Sequence, residues 1–275
     1  MKIIQAQGQT CNQFWIYSHF IAEAIENKNK VWALAPDISI KDYPNLLDSD
    51  VIKYKLYSKF LVQLFGYKNY INVINSLVHN RITRTFLIFF FKLIPFVDFI
   101  WAEMEGFTFL NRDNYKKEIC QILKPKDEIT KNVETFFQTK REKFDIIIGV
   151  HLRRGDYATW QGGQYFYSDK EYNNVMLHLK TFFPSLKVGF LLCSNESLNP
   201  SNFEENDVFK LNNSSAAMDI YGLSQCDYII GPPSSFSSWS AYFGNKPLYF
   251  LKTSDCKFNL SDFKTGENSW TKRND

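Results

Sequence analysis

Apolar residues fall into two kinds of run along this chain. Residues 145–152 are almost continuously apolar and β-branched (Ile146, Ile147, Ile148, Val150, Leu152), which predicts a strand covered on both faces, as in a parallel sheet flanked by helices. Residues 188–193 and 228–231 read the same way, and shorter strands are predicted at 208–211 and 247–251. Helices are predicted at 216–225 and 234–243. Ser168-Asp169-Lys170-Glu171 is a capping box that opens a further helix running to about Phe183, with Pro184 as its stop. Strands alternating with helices predict a doubly wound α/β domain with a mostly parallel sheet.

The first half is more helical. Residues 2–6 read as a strand, 11–27 as a helix with Phe14, Ile21, Ala22 and Ile25 at helical spacing, and 31–35 and 51–57 as further strands. Residues 58–140 read as mainly helical and end in a run carrying Ile129, Val133, Phe136 and Phe137. A charged bridge at 139–144 predicts the domain boundary, giving domains 1–140 and 141–275. The longest apolar stretch, residues 85–101, is broken by Lys92, Pro95 and Asp98 and falls short of the about 20 apolar residues of a bilayer span. It reads either as a helix that ends near Pro95 and packs into the core, or as an apolar face for a membrane surface or lipid-linked acceptor, with Arg81, Arg84 and Lys92 beside it.

Composition narrows the class. A hydrophobic share of 45% and an aromatic share of 17% exclude a disordered chain. The net charge of +3, from 32 basic and 29 acidic residues, argues against nucleic acid as a partner, so any anion recognition must be local. Cys11, Cys120, Cys193, Cys226 and Cys256 are far apart and predict neither a disulfide framework nor a zinc site, which fits a reducing compartment. The opening Ile3-Ile4-Gln5-Ala6 reads as a strand and not as a signal peptide, which predicts a cytoplasmic protein and makes the sequons at Asn195, Asn212 and Asn259 chance matches.

Candidate chemistry gathers at strand ends. His151, Arg153, Arg154 and Asp156 follow the strand at 145–152, with Gly155 allowing a tight turn. Period-2 alternation puts His151 and Arg153 on one side and Arg154 on the other. Arginine suits bidentate recognition of phosphate or carboxylate, so one guanidinium facing the crevice implies an anionic ligand, and Asp156 can hold the other. The alternative is a structural Arg154–Asp156 pair beside a solvated Arg153. At 229–239 a strand ends in Pro232-Pro233 and a helix start carrying Ser234, Ser235, Ser237 and Ser238, where hydroxyls and orphan N–H groups suit a phosphate. The turn Gly8-Gln9-Thr10-Cys11-Asn12-Gln13 joins the first strand to the first helix without the spacing of a dinucleotide fold. Asp48-Ser49-Asp50 matches the carboxylate pair of metal-dependent glycosyltransferases but lies in a predicted loop, and it is read as a solvated acidic turn.

The motif His151-Leu152-Arg153-Arg154-Gly155-Asp156-Tyr157 resembles the donor-binding signature of the α-1,2-fucosyltransferase family. Ser234, Ser235, Phe236, Ser237 and Trp239 match a second family segment, and Gly8, Asn12 and Gln13 match the opening acceptor loop, where Thr10 and Cys11 depart from an expected glycine. The resemblance implies a GT-B-type architecture of two Rossmann-like domains facing a cleft, with GDP-fucose on the C-terminal one. It implies inverting, metal-independent transfer of fucose, with no cofactor, to a galactoside hydroxyl of a surface or lipid-linked glycan in α-1,2 linkage. By the same resemblance Arg153 stabilises the leaving diphosphate, with Asp156 also catalytic. Donor contacts are implied for His151, Arg153, Arg154, Ser234, Ser235, Phe236 and Ser237, and Asp219 is implied as acceptor for the guanine edge. A different nucleotide sugar, or a carbohydrate-binding protein without turnover, are the competing readings.

Overall fold

Alternate residues of one seven-residue strand feed two separate cores in the C-terminal half of the protein. The computed structural model describes residues 2–104, 112–203 and 205–265. The chain divides into two compact units, Met1–Lys126 and Asp127–Asp275.

In the second unit, strands β5 (Ile146–Leu152), β6 (Val188–Ser194), β7 (Val208–Phe209), β8 (Tyr228–Gly231) and β9 (Leu248–Phe250) form one parallel sheet in the order β7-β6-β5-β8-β9. Ile148, Val150 and Leu152 pack on one face with Tyr172, Val175, Met176 and Leu179 of a helix spanning Asp169–Lys180. Ile147 packs on the other face with Val133 and Phe137, Leu223 and Ala241, which come from helices Asp127–Arg141, Ala216–Gln225 and Ser235–Gly244. The helix Asp127–Arg141 therefore belongs to this unit. The boundary lies at residues 126/127, not at the charged bridge expected at 140/141, because Val133 and Phe137 are buried against the second sheet.

In the first unit, β1 (Lys2–Ala6), β2 (Val31–Ala33), β3 (Ile52–Tyr54) and β4 (Asp98–Ala102) form a parallel sheet in the order β3-β2-β1-β4. Among the described residues the α-helices, in order, are α1 (Thr10–Glu26), α2 (Pro44–Asp48), α3 (Lys59–Phe65), α4 (Tyr67–His79), α5 (Arg81–Lys92), α6 (Lys116–Ile122), α7 (Asp127–Arg141), α8 (Asp169–Lys180), α9 (Ala216–Gln225) and α10 (Ser235–Gly244). The helix expected to end near Pro95 is α5, which ends at Lys92, and the far end of the apolar stretch at 85–101 forms most of β4, paired in register with β1 from Lys2↔Asp98 to Ala6↔Ala102. Phe99 and Trp101 alternate along β4 and pack beside Phe91 of α5, which is the reason this apolar run is strand and not helix. Part of the stretch expected to be mainly helical, residues 105–111, lies outside the described residues.

Both sheets place a reversal of strand order beside a candidate site. In the second, β5 is flanked by β6 and β8, the chain crossing from β7 at one edge to β8 on the other side of β5, and in the first, β1 is flanked by β2 and β4. Ligands of open α/β sheets lie beyond the carboxyl ends of strands at such points. The β5 end carries His151, and the β1 end leads into the Gly8 turn.

Candidate active site

The end of β5 and the start of α10, separated by about 80 residues of sequence, are locked together by three contacts. His151 Nδ1 lies 2.8 Å from Ser237 Oγ. Its ring stacks on Phe236 at 4.9 Å between centroids. The Tyr157 hydroxyl donates to the Pro233 carbonyl at 2.5 Å. Gly231, at the end of β8, permits this closeness: a Cβ there would meet the His151 carbonyl oxygen at 2.8 Å and the His151 Cβ at 2.9 Å.

His151 is buried, and burial, followed by the charge of Arg153, holds its pKa down to about 3. The ring is therefore neutral at ordinary pH. With so little surface it orients the start of α10 and presents almost no face to a nucleoside.

The two arginines have separate environments, as alternation predicts, but Asp156 pairs with Arg153 and not with Arg154. Arg153 Nη2 donates to Asp156 Oδ2 at 3.0 Å, and its guanidinium stands 5.4 Å from the Tyr157 ring centre. Arg154 is the buried one, its guanidinium donating to the Tyr167 carbonyl and to Asp169. Its backbone N–H donates to Asn195 Oδ1 at 2.8 Å. Arg154 thus pins the loop to α8 and to the end of β6, and the Arg154–Asp156 pair is not formed. Gly155 turns the chain with φ of +56°, where a Cβ would meet Asn195 Nδ2 at 3.0 Å.

The serines of α10 divide in the same manner. Ser234 is the N-cap, accepting from Phe236 N at 3.1 Å. Ser237 is spent on His151, and Ser238 donates back to the Ser235 carbonyl at 3.2 Å. Ser237 and Ser238 are buried, while Ser235 and Phe236 are half-buried in the first turn. Of the three serines expected at the donor, Ser234 and Ser237 already have partners within the protein. Ser235, with the amino end of α10, is what remains to meet an anion.

Asp219 lies in the first turn of α9, capped by Ser215. It is largely buried, and burial pushes its carboxyl up to about 6, against a downward pull from hydrogen bonds with Ser214 and Cys193. Cys193 pairs in register with His151, so Asp219 stands at the same edge of the sheet.

In the first unit Gly8 has φ of +85°, and a Cβ there would meet the Asn12 side chain at 2.5 Å. Gln13 is buried and donates to the Gly8 carbonyl at 2.9 Å and to Asp37 Oδ2 at 3.4 Å, so it builds the turn instead of reaching out of it. Asn12 is half-buried. Asp48 and Asp50 are answered by Lys59 and Lys53, as befits an acidic surface turn.

The family model for glycosyl transferase family 11 matches residues 1–270. The chain belongs to glycosyl transferase family 11. Solved structures carry the fold of this family 11 chain. The fucosyltransferase NodZ from Bradyrhizobium is 15% identical with a TM-score of 0.56, over 95% of this chain and 96% of that one. NodZ α-1,6-fucosyltransferase soaked with GDP-fucose gives the same identity, coverage and TM-score. POFUT1 in complex with GDP is 11% identical with a TM-score of 0.57, over 90% of this chain and 97% of that one. No curated protein sequence matches significantly. The architecture is α/β and GT-B-type, built of two Rossmann-like units, as the sequence predicts.

Three supporting residues were not anticipated: Asn195, Asp169 and Tyr157. Asn195 directly follows the apolar strand β6, a position from which it could have been suspected. The roles of Asp169 and Tyr157 depend on partners 15 and 76 residues away in sequence.

Proposed function

We propose that this protein transfers fucose from GDP-fucose to a galactoside hydroxyl of a surface or lipid-linked glycan. The new bond is an α-1,2 linkage formed with inversion, needing neither metal nor cofactor. The reaction takes place in the cytoplasm, near the inner face of a membrane. Family 11 membership supports glycosyl transfer. The single observation carrying the reading is the Arg153 guanidinium, held by Asp156 beside the locked junction of β5 and α10.

The acceptor hydroxyl oxygen attacks the anomeric carbon as the bond to the β-phosphate oxygen breaks, its proton is released to water, and negative charge grows on the departing GDP. Arg153 meets that charge, and Ser235 with the amino end of α10 holds the diphosphate between them. Asp156 keeps Arg153 in place and acts as a positioning residue. Arg154, Ser234, Phe236, Ser237 and His151 shape the donor site through the loop and the helix start. Asp219 as a carboxylate accepts from the paired N–H groups of guanine. Gly8, Asn12 and Gln13 form the acceptor side, with Asn12 the side chain presented by the turn.

Incubation with GDP-fucose and a terminal galactoside should release GDP and give a product whose new bond NMR assigns to O2 of galactose. Turnover with a different nucleotide sugar but not with GDP-fucose would assign another donor. Acceptor binding without turnover of any donor would assign a carbohydrate-binding role.

A further inference from the structure

Helix α5 is apolar on two sides. Leu87 and Phe91 turn inward onto a cluster with Ile3, Leu34 and Val78. Ile82, Phe86, Phe89, Phe90 and Leu93 point outward and form one stripe at spacings of three and four, with Ile82 81% exposed. Helix α4 repeats the arrangement, burying Ile71 and Val78 while exposing Val73 and Leu77. Helix α3 buries nothing and exposes Phe60, Leu64 and Phe65. The three helices pack in succession, α3 on α4 and α4 on α5. Of the large apolar side chains exposed among the described residues, all but Phe166 and Leu186 lie between residues 60 and 96. Scattered exposed apolar residues are ordinary, but this concentration is not.

The charge of the same segment is one-sided. Residues 59–97 carry Lys59, Lys68, Arg81, Arg84 and Lys92 and no aspartate or glutamate. Lys59 is answered by Asp48, and the side chain of Lys92 lies outside the described residues. Arg81 borders an open depression with Ile82, Thr85, Phe86 and Phe89, placing a guanidinium beside an apolar slot. Arg84 lies over the Trp101 ring, 4.4 Å from its centre.

We propose that the outward face of helices α3, α4 and α5 rests on the surface of an anionic phospholipid bilayer. Helix α5 has 12 residues and spans about 18 Å, too short to cross a hydrocarbon core of about 30 Å. It lies in the interfacial plane, with phenylalanines among the acyl chains and Arg81 at the lipid phosphates. A second copy of this chain is the poorer occupant, because a twofold contact would set one acid-free basic face against another. The surface belongs to the first unit alone, so it stands whether or not GDP-fucose is the donor, and it would bring the enzyme to lipid-linked acceptors.

Sedimentation with vesicles tests this directly. The full chain should bind vesicles of phosphatidylglycerol and phosphatidylcholine, bind pure phosphatidylcholine weakly, and release as salt rises. Phe86→Ser with Phe89→Ser should weaken binding about tenfold or more, and Arg81→Gln by about fivefold, while GDP-induced thermal stabilisation stays unchanged. Leu87→Ala, on the inward side, should leave vesicle affinity nearly unaltered in whatever fraction remains folded. Failure of the folded wild type to bind anionic vesicles would overturn the proposal. So would equal binding by the serine variants, or self-association in ultracentrifugation that those variants abolish.

Discussion

His151 Nδ1 and Ser237 Oγ are 2.8 Å apart and both side chains are buried, so this bond couples the end of the central strand to the helix that follows β8. Ser237→Ala removes the buried hydroxyl that Nδ1 bonds, and should cost about 1–3 kcal/mol of stability in denaturant unfolding. Because the folded pKa of His151 lies near 3, below its unfolded value, its stabilising contribution is present above about 6.5 and is lost as pH falls toward 3. Its imidazole resonances should therefore stay flat from pH 8 to 4.5. A titration near 6.5 would show that the ring is open to water.

Arg154 should behave as a structural residue. Its replacement by alanine removes the buried donor to the Tyr167 carbonyl and one partner of the partly exposed Asp169, and should lower stability by about 1–3 kcal/mol in the absence of nucleotide. Thermal unfolding checks this. An unchanged Tm with lost GDP binding would mean that Arg154, not Arg153, meets the phosphates.

On the proposed guanine contact, Asp219 should make donor binding depend on pH. Burial pushes its carboxyl up to about 6, and accepting from guanine takes the ionised form, so protons should compete with GDP as pH falls through 6. Calorimetry should find GDP roughly tenfold weaker at pH 5 than at pH 7.5. Asp219→Asn should bind weakly at both, with the pH difference largely gone. An equal pH response in that variant would remove Asp219 from guanine recognition.

Gly231→Ala tests the closeness of β8 to β5. The added methyl group would press on the His151 backbone and Cβ and force the strand end away from α10. A loss of about 1–3 kcal/mol in stability is expected, together with reduced turnover. Wild-type behaviour on both counts would mean the junction yields without consequence.

Much of this was legible in the sequence, and the failures share a cause. The apolar run of β5, the capping box at Ser168 and the helix Ala216–Gln225 follow from local periodicity and local hydrogen bonding, and the structure repeats them nearly residue for residue. The helix expected to end near Pro95 does end at Lys92, but the strand Asp98–Ala102 beyond it was not foreseen, because a short buried strand shows no period of its own among so many apolar residues and only pairing with β1 defines it. Asp156 was expected on Arg154 but pairs with Arg153, three residues before it, while Asp169 and Tyr167 reach Arg154 only after α8 has packed. The serines of α10 advertised an anion site, yet Ser234 and Ser238 serve the helix start and Ser237 serves His151.

The central claim is that Arg153 meets the charge of the departing diphosphate, and single-turnover release of GDP from GDP-fucose in the presence of a galactoside measures it most directly. Arg153→Ala should lower the rate at least about 10²-fold with little change in Tm, and Arg153→Lys should recover part of that loss. Equal rates for the alanine variant and wild type would contradict the account.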